Sequence, residues 1–286
     1  EVFHPENLMH LIGGGQNTQL LYAKRDGSLP NDSGVEYVSQ PMTLDAWHAV
    51  PTKFWNFVEA NYKAFNQSDV GIHIHFPWAS MEVGHAYTML SALNSLQVNQ
   101  HGILYNVAQR GDVSYARWDL LTMRDAYNVV AEVAKQRTRS DNEKYKAINL
   151  QHTDTIELRY FNSTTVPGRV LSRPEFVEAI YRFAWHVVVQ HGMEEYHYNN
   201  QDDYAGSPVE QGLYTNSFKL YFAESSYREI VNDFWQWLLD TAENRARYAN
   251  FIALAREENL FELSDIYPSS SNMGVTVDRL VHDTET

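Results

Sequence analysis

Short segments with the composition of β-strands dominate the first part of this sequence, and helical patterns dominate the rest. The strand-like segments are short and rich in β-branched or aromatic residues, and they lie near 18–25, 34–39, 70–76, 102–107, 144–150 and 155–161. Apolar residues at helical spacing predict helices near 44–66, 79–96, 121–137, 173–191, 224–241 and 242–258. We therefore predict an α+β fold: a largely antiparallel sheet, helices packed on one face of it, and a helical C-terminal part.

Chain length and one helix start refine this organisation. A chain of 286 residues with 44% hydrophobic residues can bury a large core, so we predict a single domain over 1–265. That domain is strand-rich over 1–165 and helix-rich over 166–265, and a peripheral tail follows at 266–286. The helix predicted from 173 has Ser172 as a candidate cap, Pro174 in the first turn and Glu175 after it. The long polar, Tyr-rich segment at 194–212 is predicted to be a loop or lid.

The charge and the cysteine count exclude several classes of protein. The net charge of −14 argues against a nucleic-acid binder, which needs a basic surface. The absence of cysteine excludes disulfides, thiolate catalysis and Cys-ligated zinc, and it fits a reducing compartment, so we expect a cytoplasmic protein. No apolar run approaches the roughly 18 residues of a membrane span, and residues 1–10 lack the pattern of a signal peptide. We expect no membrane partner.

The segment VGIHIHF at 70–76 alternates strictly between apolar and polar residues. Because successive side chains of a strand point to opposite faces, His73 and His75 share the face opposite Ile72, Ile74 and Phe76. Taken alone, a His-x-His pair on a strand is more often a surface or structural feature than a metal site. The pair becomes informative only if other polar side chains lie on the same face.

The segment TIELRYF supplies such side chains. Alternation places Glu157 and Arg159 on one face of this strand, and Glu36 lies in a third predicted strand, GVEYVS. A lone Glu–Arg pair at this spacing is usually a solvent-facing ion pair. On one sheet face together with the two histidines, as we expect, these side chains suit Mg²⁺ or Mn²⁺, and an adjacent Arg suits a phosphate oxygen. The combination predicts a phosphoryl-transfer site.

The segment QRGDVSYAR at 109–117 adds two cations, Arg110 and Arg117, directly after a predicted strand. A compact basic pair in so acidic a chain is consistent with an anion site. A surface loop is the alternative reading.

Four segments occur in an order typical of one enzyme family. KRDGSLPNDSGVEYVSQPM is similar to a pattern Lys-x-Asp-Gly-Ser-Leu … Gly-x-Glu-x-x-Ser-x-Pro, and GIHIHF to a Gly-x-His-x-His strand. QRGDVSYAR resembles an Arg-rich segment, and KYKAINLQHTDTIELRYFNSTT a block Tyr-x-x-x-Asn … Thr-x-Glu-x-Arg-x-Phe … Thr. Over about residues 20–190 the chain thus resembles the amidoligases. They belong to the carboxylate–amine ligase superfamily of glutamine synthetase and glutamate–cysteine ligase.

The resemblance implies a glutamine-synthetase-like catalytic fold and an ATP-dependent ligase. ATP would phosphorylate a carboxylate, and an amine would attack the acyl phosphate to give an amide. The implied cofactors are ATP and Mg²⁺ or Mn²⁺, and the implied substrates are small-molecule or peptide carboxylates and amines. The implied metal ligands are Glu36, His73, Glu157 and Glu1. The residues implied near the nucleotide are His75, Arg117, Arg159 and Asn149. The implied catalytic residues are Glu157, Arg159 and Arg110.

One part of the family pattern is reduced in this sequence. The family opens with a strand of the type Gly-x-Glu-x-Glu, which supplies two metal-binding carboxylates, and Glu1 alone stands where its last residue would be. If this strand is lost, the alternative is a catalytically degenerate relative that acts as a structural or interaction component of a larger assembly. Relatives with this fold range widely in oligomeric state, so a homo-oligomer is compatible with the resemblance.

Overall fold

The chain contains five strands and eight helices within the residues that the structure, a computed structural model, describes. These residues are 21–25, 35–61, 70–77, 80–81, 83–97, 102–110, 113–114, 116–118, 145–152, 154–190 and 227–261. The strands are β1 (Leu21–Arg25), β2 (Val35–Ser39), β3 (Gly71–Pro77), β4 (Ile148–Asn149) and β5 (Thr155–Asn162). The helices are α1 (Leu44–His48), α2 (Thr52–Asn61), α3 (Val83–Gln97), α4 (Ile103–Ala108), α5 (Pro167–Gln190), α6 (Tyr227–Asp240), α7 (Ala242–Arg247) and α8 (Ala249–Glu257).

The described strands form two small antiparallel sheets. β1 pairs with β2 in a two-stranded sheet, and β3, β5 and β4 form a three-stranded sheet in that order. Strand β5 is therefore central, with a partner on each side. This mixture of helices and antiparallel sheet confirms the α+β prediction. Among the described helices, none has both the length and the hydropathy needed to cross a bilayer.

Strand β3 confirms the predicted alternation, and β5 interrupts it. Ile72, Ile74 and Phe76 pack against the main core, while His73 and His75 are exposed on the other face. Between Ile72 and Ile74 the register shifts, because their partners on β5 are Phe161 and Leu158. β5 thus carries one residue more than β3 at this point, which is the pattern of a β-bulge. Tyr160 and Phe161, which follow each other in β5, are consequently both buried.

The strand predicted at 102–107 is wrong, because this segment forms helix α4. Its buried residues are Ile103, Leu104, Val107 and Ala108, a spacing that lines one side of a helix. The helix follows Gly102 and ends at Gln109, which adopts a left-handed backbone conformation with φ of 52°. The composition of this segment favours a strand, whereas the spacing of its apolar residues is that of a helix, and the structure has the helix.

Several helix boundaries differ from the predictions. Within the helix predicted at 44–66, the described residues 44–61 form two helices that are separated at Pro51, which has no N–H to continue the first one. Helix α5 begins at Pro167 rather than at 173, so Pro174 lies inside it, and the Ser172 hydroxyl donates to the Arg169 carbonyl at 2.8 Å instead of capping. The segment predicted at 242–258 is split at Tyr248. The helix predicted at 121–137, the loop at 194–212 and the tail at 266–286 lie outside the described residues.

Helix α5 contacts both hydrophobic clusters that the described residues form. Its C-terminal part lies in the main core, where aromatic rings of α5, α6 and α8 are in contact at centroid distances such as 5.1 Å for Phe176–Phe251 and 5.4 Å for Phe183–Phe234. Its N-terminal part borders a smaller cluster that includes Leu21 of β1 and Phe54 of α2. The helix therefore joins the two-stranded sheet to the main core.

A buried carboxylate of α5 connects three helices. Glu175 is completely buried and accepts hydrogen bonds from His48 Nε2 at 2.8 Å, from Asn250 Nδ2 at 2.6 Å and from the backbone N–H of Phe251 at 2.7 Å. Phe251 lies in the first turn of α8, whose preceding residue Tyr248 makes no side-chain cap hydrogen bond. Glu175 therefore supplies from a neighbouring helix the acceptor that the start of α8 requires.

Candidate functional site

The centre of the three-stranded sheet aligns a carboxylate with polar residues on both neighbouring strands. Glu157 of β5 is the register partner of His75 on β3 and of Asn149 on β4. Residues in register on adjacent strands place their side chains side by side. The sheet topology alone therefore brings His75, Glu157 and Asn149 together, although they come from distant parts of the sequence.

The Glu157 carboxylate makes four short polar contacts. Oε1 lies 3.0 Å from His73 Nδ1 and 2.8 Å from Arg159 Nη1. Oε2 accepts from Asn149 Nδ2 at 2.6 Å and from His152 Nε2 at 3.1 Å. An ionised carboxylate offers about four lone-pair sites, so this set satisfies the group. Asn149 is fixed in turn, because its Oδ1 accepts from the backbone N–H of Gln151 at 3.0 Å.

These contacts determine the protonation of the carboxylate. Burial acts to raise the pKa of Glu157, but the hydrogen bond from His73, the charge of Arg159 and the hydrogen bond from Asn149 outweigh it. The pKa of Glu157 is therefore held well below its ordinary value of 4.5, and the group is ionised at neutral pH. The pKa of His75 is lowered from 6.5, first by burial and then by His152, His73 and Arg159, against the attraction of Glu157.

Two imidazoles approach the carboxylate from the solvent side. His75 Nε2 lies 3.8 Å from Glu157 Oε1, and the rings of His75 and His152 are 5.1 Å apart. The side chains of His75 and His152 are each 46% exposed, whereas that of Glu157 is 5% exposed. One ligand atom from each of these three residues lies within 4.8 Å of the other two. The three residues thus form a group, open to water on one side, that could hold a metal ion.

Arg110 lies beside Gly71, the residue of β3 whose side-chain direction is that of His73 and His75. The side chain is buried, and its Nη1 donates to the backbone carbonyl of Arg159 at 3.1 Å. It passes directly over Gly71, where an added Cβ would overlap Arg110 Nη1 and would approach the Phe161 carbonyl oxygen to 2.9 Å. Arg110 therefore supports the strand that carries Arg159.

We expect Gly71→Ala to lower the free energy of unfolding by about 1–3 kcal/mol, the usual cost of overpacking. The new methyl group must displace Arg110 from a buried position or push against the backbone of Phe161. Gly168→Ala is the matched control, because the nearest atom to its added Cβ is Asn250 Oδ1 at 3.7 Å. In helix α5 that substitution is expected to be neutral or to stabilise by up to about 1 kcal/mol. Urea denaturation of both variants measures the difference, and equal stabilities would contradict the packing argument.

The remaining expected site residues lie at different places. Arg117 extends the sheet beyond β4, since its N–H donates to the Tyr145 carbonyl and its own carbonyl accepts from Ala147 N–H, both at 2.8 Å. Glu36 is exposed in β2, in the separate two-stranded sheet, and it is not a member of the metal-capable group. The expectation that Glu36 shares one sheet face with Glu157 therefore does not hold. Glu1 lies outside the described residues.

His152 is a member of the site that the sequence patterns did not predict. It lies between β4 and β5, two strands that pair antiparallel, and this turn carries the side chain back to Glu157, five residues further along the chain. The signal was present in LQHTDT, a short polar segment between two predicted strands. A tight turn at that point places its side chains near the strand ends.

The donor set decides which ions fit. Two imidazoles and one carboxylate suit divalent ions that accept nitrogen ligands, among which zinc is common. They do not fit Mg²⁺, which prefers about six oxygen ligands and keeps several waters. Glu157 is the one carboxylate of the implied metal ligands that belongs to this group of described residues. No protein-family model, curated protein or solved structure matches the chain, so any family assignment rests on the sequence motifs.

Proposed function

We propose that this protein is an ATP-dependent carboxylate–amine ligase of the amidoligase type, with a glutamine-synthetase-like catalytic fold. In this reaction the terminal phosphoryl group of ATP is transferred to a carboxylate oxygen of a small molecule or peptide, and ADP is the leaving group. An amine then attacks the acyl carbon, phosphate leaves, and the amine loses a proton to give an amide. The observation that carries the proposal is the buried Glu157 carboxylate, with His73 and Arg159 bound to one of its oxygens.

The charges around Glu157 support this proposal. Phosphoryl transfer is catalysed mainly by positioning and by neutralising negative charge, and a guanidinium is well suited to phosphate oxygens. Arg159 is held by Glu157 at 2.8 Å, and its backbone carbonyl accepts from Arg110 Nη1 at 3.1 Å. In the proposed reaction Glu157 orients Arg159, and Arg159 faces the phosphoryl group. The proposal includes ATP and a divalent ion, expected as Mg²⁺ or Mn²⁺; because Mg²⁺ does not fit the described ligand set, no step is assigned to it.

A second candidate is a metal-dependent hydrolase that needs neither ATP nor an amine. It is favoured by His152, which completes a set of two histidines and one glutamate around an open side. The same ligand set occurs in catalytic zinc sites, where the remaining position holds the reacting water. The two candidates differ in their requirement for nucleotide.

The test measures ATP-dependent amide formation with a panel of amino acids and peptides as carboxylates and amines. We expect Glu157→Gln and His73→Ala to lower turnover by about 100-fold or more, the usual loss when one electrostatic group of a site is removed. Glu243→Gln, at an exposed position of α7, is the control and is expected to match the wild type. Thermal melts verify that each variant is folded. Equal turnover in all variants would refute the assignment, and ester or amide hydrolysis without nucleotide would favour the hydrolase.

A further inference from the structure

We infer that His75, His152 and Glu157 form a site for one nitrogen-accepting divalent ion of the zinc class, and that this site discriminates against Mg²⁺. The inference shares Glu157 with the proposed function and otherwise stands without it. It requires no nucleotide and no amine. It concerns His152, which has no counterpart among the residues that the sequence motifs implicate.

The distances between the ligand atoms suit a small tetrahedral ion. Zinc lies about 2.0–2.2 Å from imidazole nitrogen and carboxylate oxygen, so its ligand atoms lie roughly 3.3–3.5 Å from one another. His152 Nε2 lies 3.1 Å from Glu157 Oε2, His75 Nε2 lies 3.8 Å from Oε1, and one ligand atom from each of the three residues lies within 4.8 Å of the other two. Side-chain rotations would therefore bring the three residues to coordination distance without a change in the strand register.

The hydrogen bonds of Glu157 leave one place for the ion. Three of its contacts, those with His73, Arg159 and Asn149, are with side chains outside the proposed ligand set. A carboxylate has about four lone-pair sites, and the remaining one on Oε2 receives the N–H of His152. An ion held between Glu157 Oε2 and His152 would replace this one contact and leave the other three in place.

The residues around the ligands orient them for this role. His75 Nδ1 lies 3.2 Å from Thr155 Oγ1, which leaves Nε2 as the nitrogen on the Glu157 side. Metal-binding histidines commonly use their second nitrogen in this way, and ligand carboxylates are commonly hydrogen-bonded themselves. The two imidazoles are about half exposed and the carboxylate is buried. The ion would thus be held from below and would keep a water-accessible position above.

The experiment titrates the full-length, metal-free chain with Zn²⁺, Mn²⁺ and Mg²⁺ by calorimetry, and with Co²⁺ by visible absorption. We expect one Zn²⁺ per chain at this site and intense Co²⁺ bands of tetrahedral type, with Mg²⁺ bound far more weakly. His75→Gln and His152→Gln each remove one proposed ligand. Removing a residue that only hydrogen-bonds a ligand typically lowers metal affinity by about 10–100-fold, and we expect each of these two variants to lose at least that much Zn²⁺ affinity. Thr155→Val removes such a hydrogen-bonding residue and is expected to lose affinity within that range. His186→Gln, on α5, is the matched histidine control and is expected to bind like the wild type.

Three results would overturn the inference: Zn²⁺ affinity unchanged in both ligand variants, an equal loss in His186→Gln, or Mg²⁺ bound as tightly as Zn²⁺. The Co²⁺ spectrum separates coordination from loss of folding, because a folded variant without a ligand binds Co²⁺ with an altered spectrum. The outcome is independent of the ligase assay. Zinc binding without amide formation would leave the inference standing and refute the ligase, and Mg²⁺-dependent amide formation without zinc binding would do the reverse.

Discussion

Replacing Glu175 by alanine is expected to lower the free energy of unfolding by about 3–5 kcal/mol, the loss typical of removing one partner from a buried charged network. The carboxylate is completely buried and accepts from His48, Asn250 and the backbone N–H of Phe251. Without the Glu175 carboxylate, the buried N–H of Phe251 and the side-chain amide of Asn250 have no acceptor from α5. Each buried donor without an acceptor lowers the free energy of unfolding by about 1–3 kcal/mol. The start of α8 also loses its cap. Urea denaturation at neutral pH measures the change.

Two further substitutions serve as controls for the Glu175→Ala variant. Glu175→Gln keeps one carbonyl acceptor at nearly the same position, so we expect an intermediate loss of about 1–2 kcal/mol. Glu243→Gln removes an exposed carboxylate from the first turn of α7 and is expected to change stability by less than about 0.5 kcal/mol. If the alanine and glutamine variants of Glu175 were as stable as this control, the carboxylate would not be what joins α1, α5 and α8.

Removing the charge of Glu157 is expected to cost about 2–3 kcal/mol at neutral pH, since a hydrogen bond to a charged group contributes roughly 1.5–3 kcal/mol. In Glu157→Gln, Arg159 and His73 face a neutral amide in place of a carboxylate. One end of that amide is a donor, whereas four donors surround the native carboxylate. The variant therefore leaves at least one donor without an acceptor.

The cost of this substitution should depend on pH with a defined sign. The folded pKa of Glu157 lies below its ordinary value of 4.5, so the ionised carboxylate stabilises the fold fully above about pH 4.5. This contribution is lost as the pH falls from there through the folded pKa. The stability difference between wild type and Glu157→Gln is thus expected to be largest at neutral pH and to narrow in acid. Denaturation curves from pH 7 to pH 3 measure it, and a constant difference would contradict the argument.

His75 adds a separate loss of stability as the pH falls below about 6.5, a range that lies above the one in which Glu157 acts. Its folded pKa is lowered from 6.5, so the unfolded chain binds the proton more readily as the pH falls below that value. His75→Gln is expected to remove this part of the pH dependence and to leave the part due to Glu157.

Local patterns in the sequence were sufficient for the local geometry of the site. Alternation correctly placed His73 and His75 opposite the apolar residues of β3. It also placed Arg159 beside Glu157, where the structure has an ion pair of 2.8 Å. Both inferences depend only on the two-residue period of a strand, which is fixed by the backbone. Strict alternation would place Tyr160 and Phe161 on opposite faces of β5, but both lie in the main core, because a bulge depends on the pairing with the partner strand and has no signal in the residue pattern.

Long-range placement could not be derived in this way. Alternation states which face of its own strand Glu36 occupies, but strand pairing decides which sheet that strand joins, and β2 pairs with β1. His152 lay in a turn, for which no period exists. The error at 102–107 was different in kind. The helical spacing of its apolar residues was visible in the sequence, and their β-branched and aromatic composition was given more weight.

The pairing of β3 with β5 has a consequence for how the protein folds. His75 and Thr155 are 80 residues apart in the sequence, whereas β4 and β5 are joined by a short turn, and α6, α7 and α8 follow one another closely. Closing a long loop costs chain entropy before its contacts contribute, so nonlocal strand pairs form more slowly than local turns and helices. We therefore expect the β4–β5 hairpin to form early with Asn149, His152 and Glu157 already together. His73 and His75 would join late, so ion-binding capacity should appear only in the last phase of refolding.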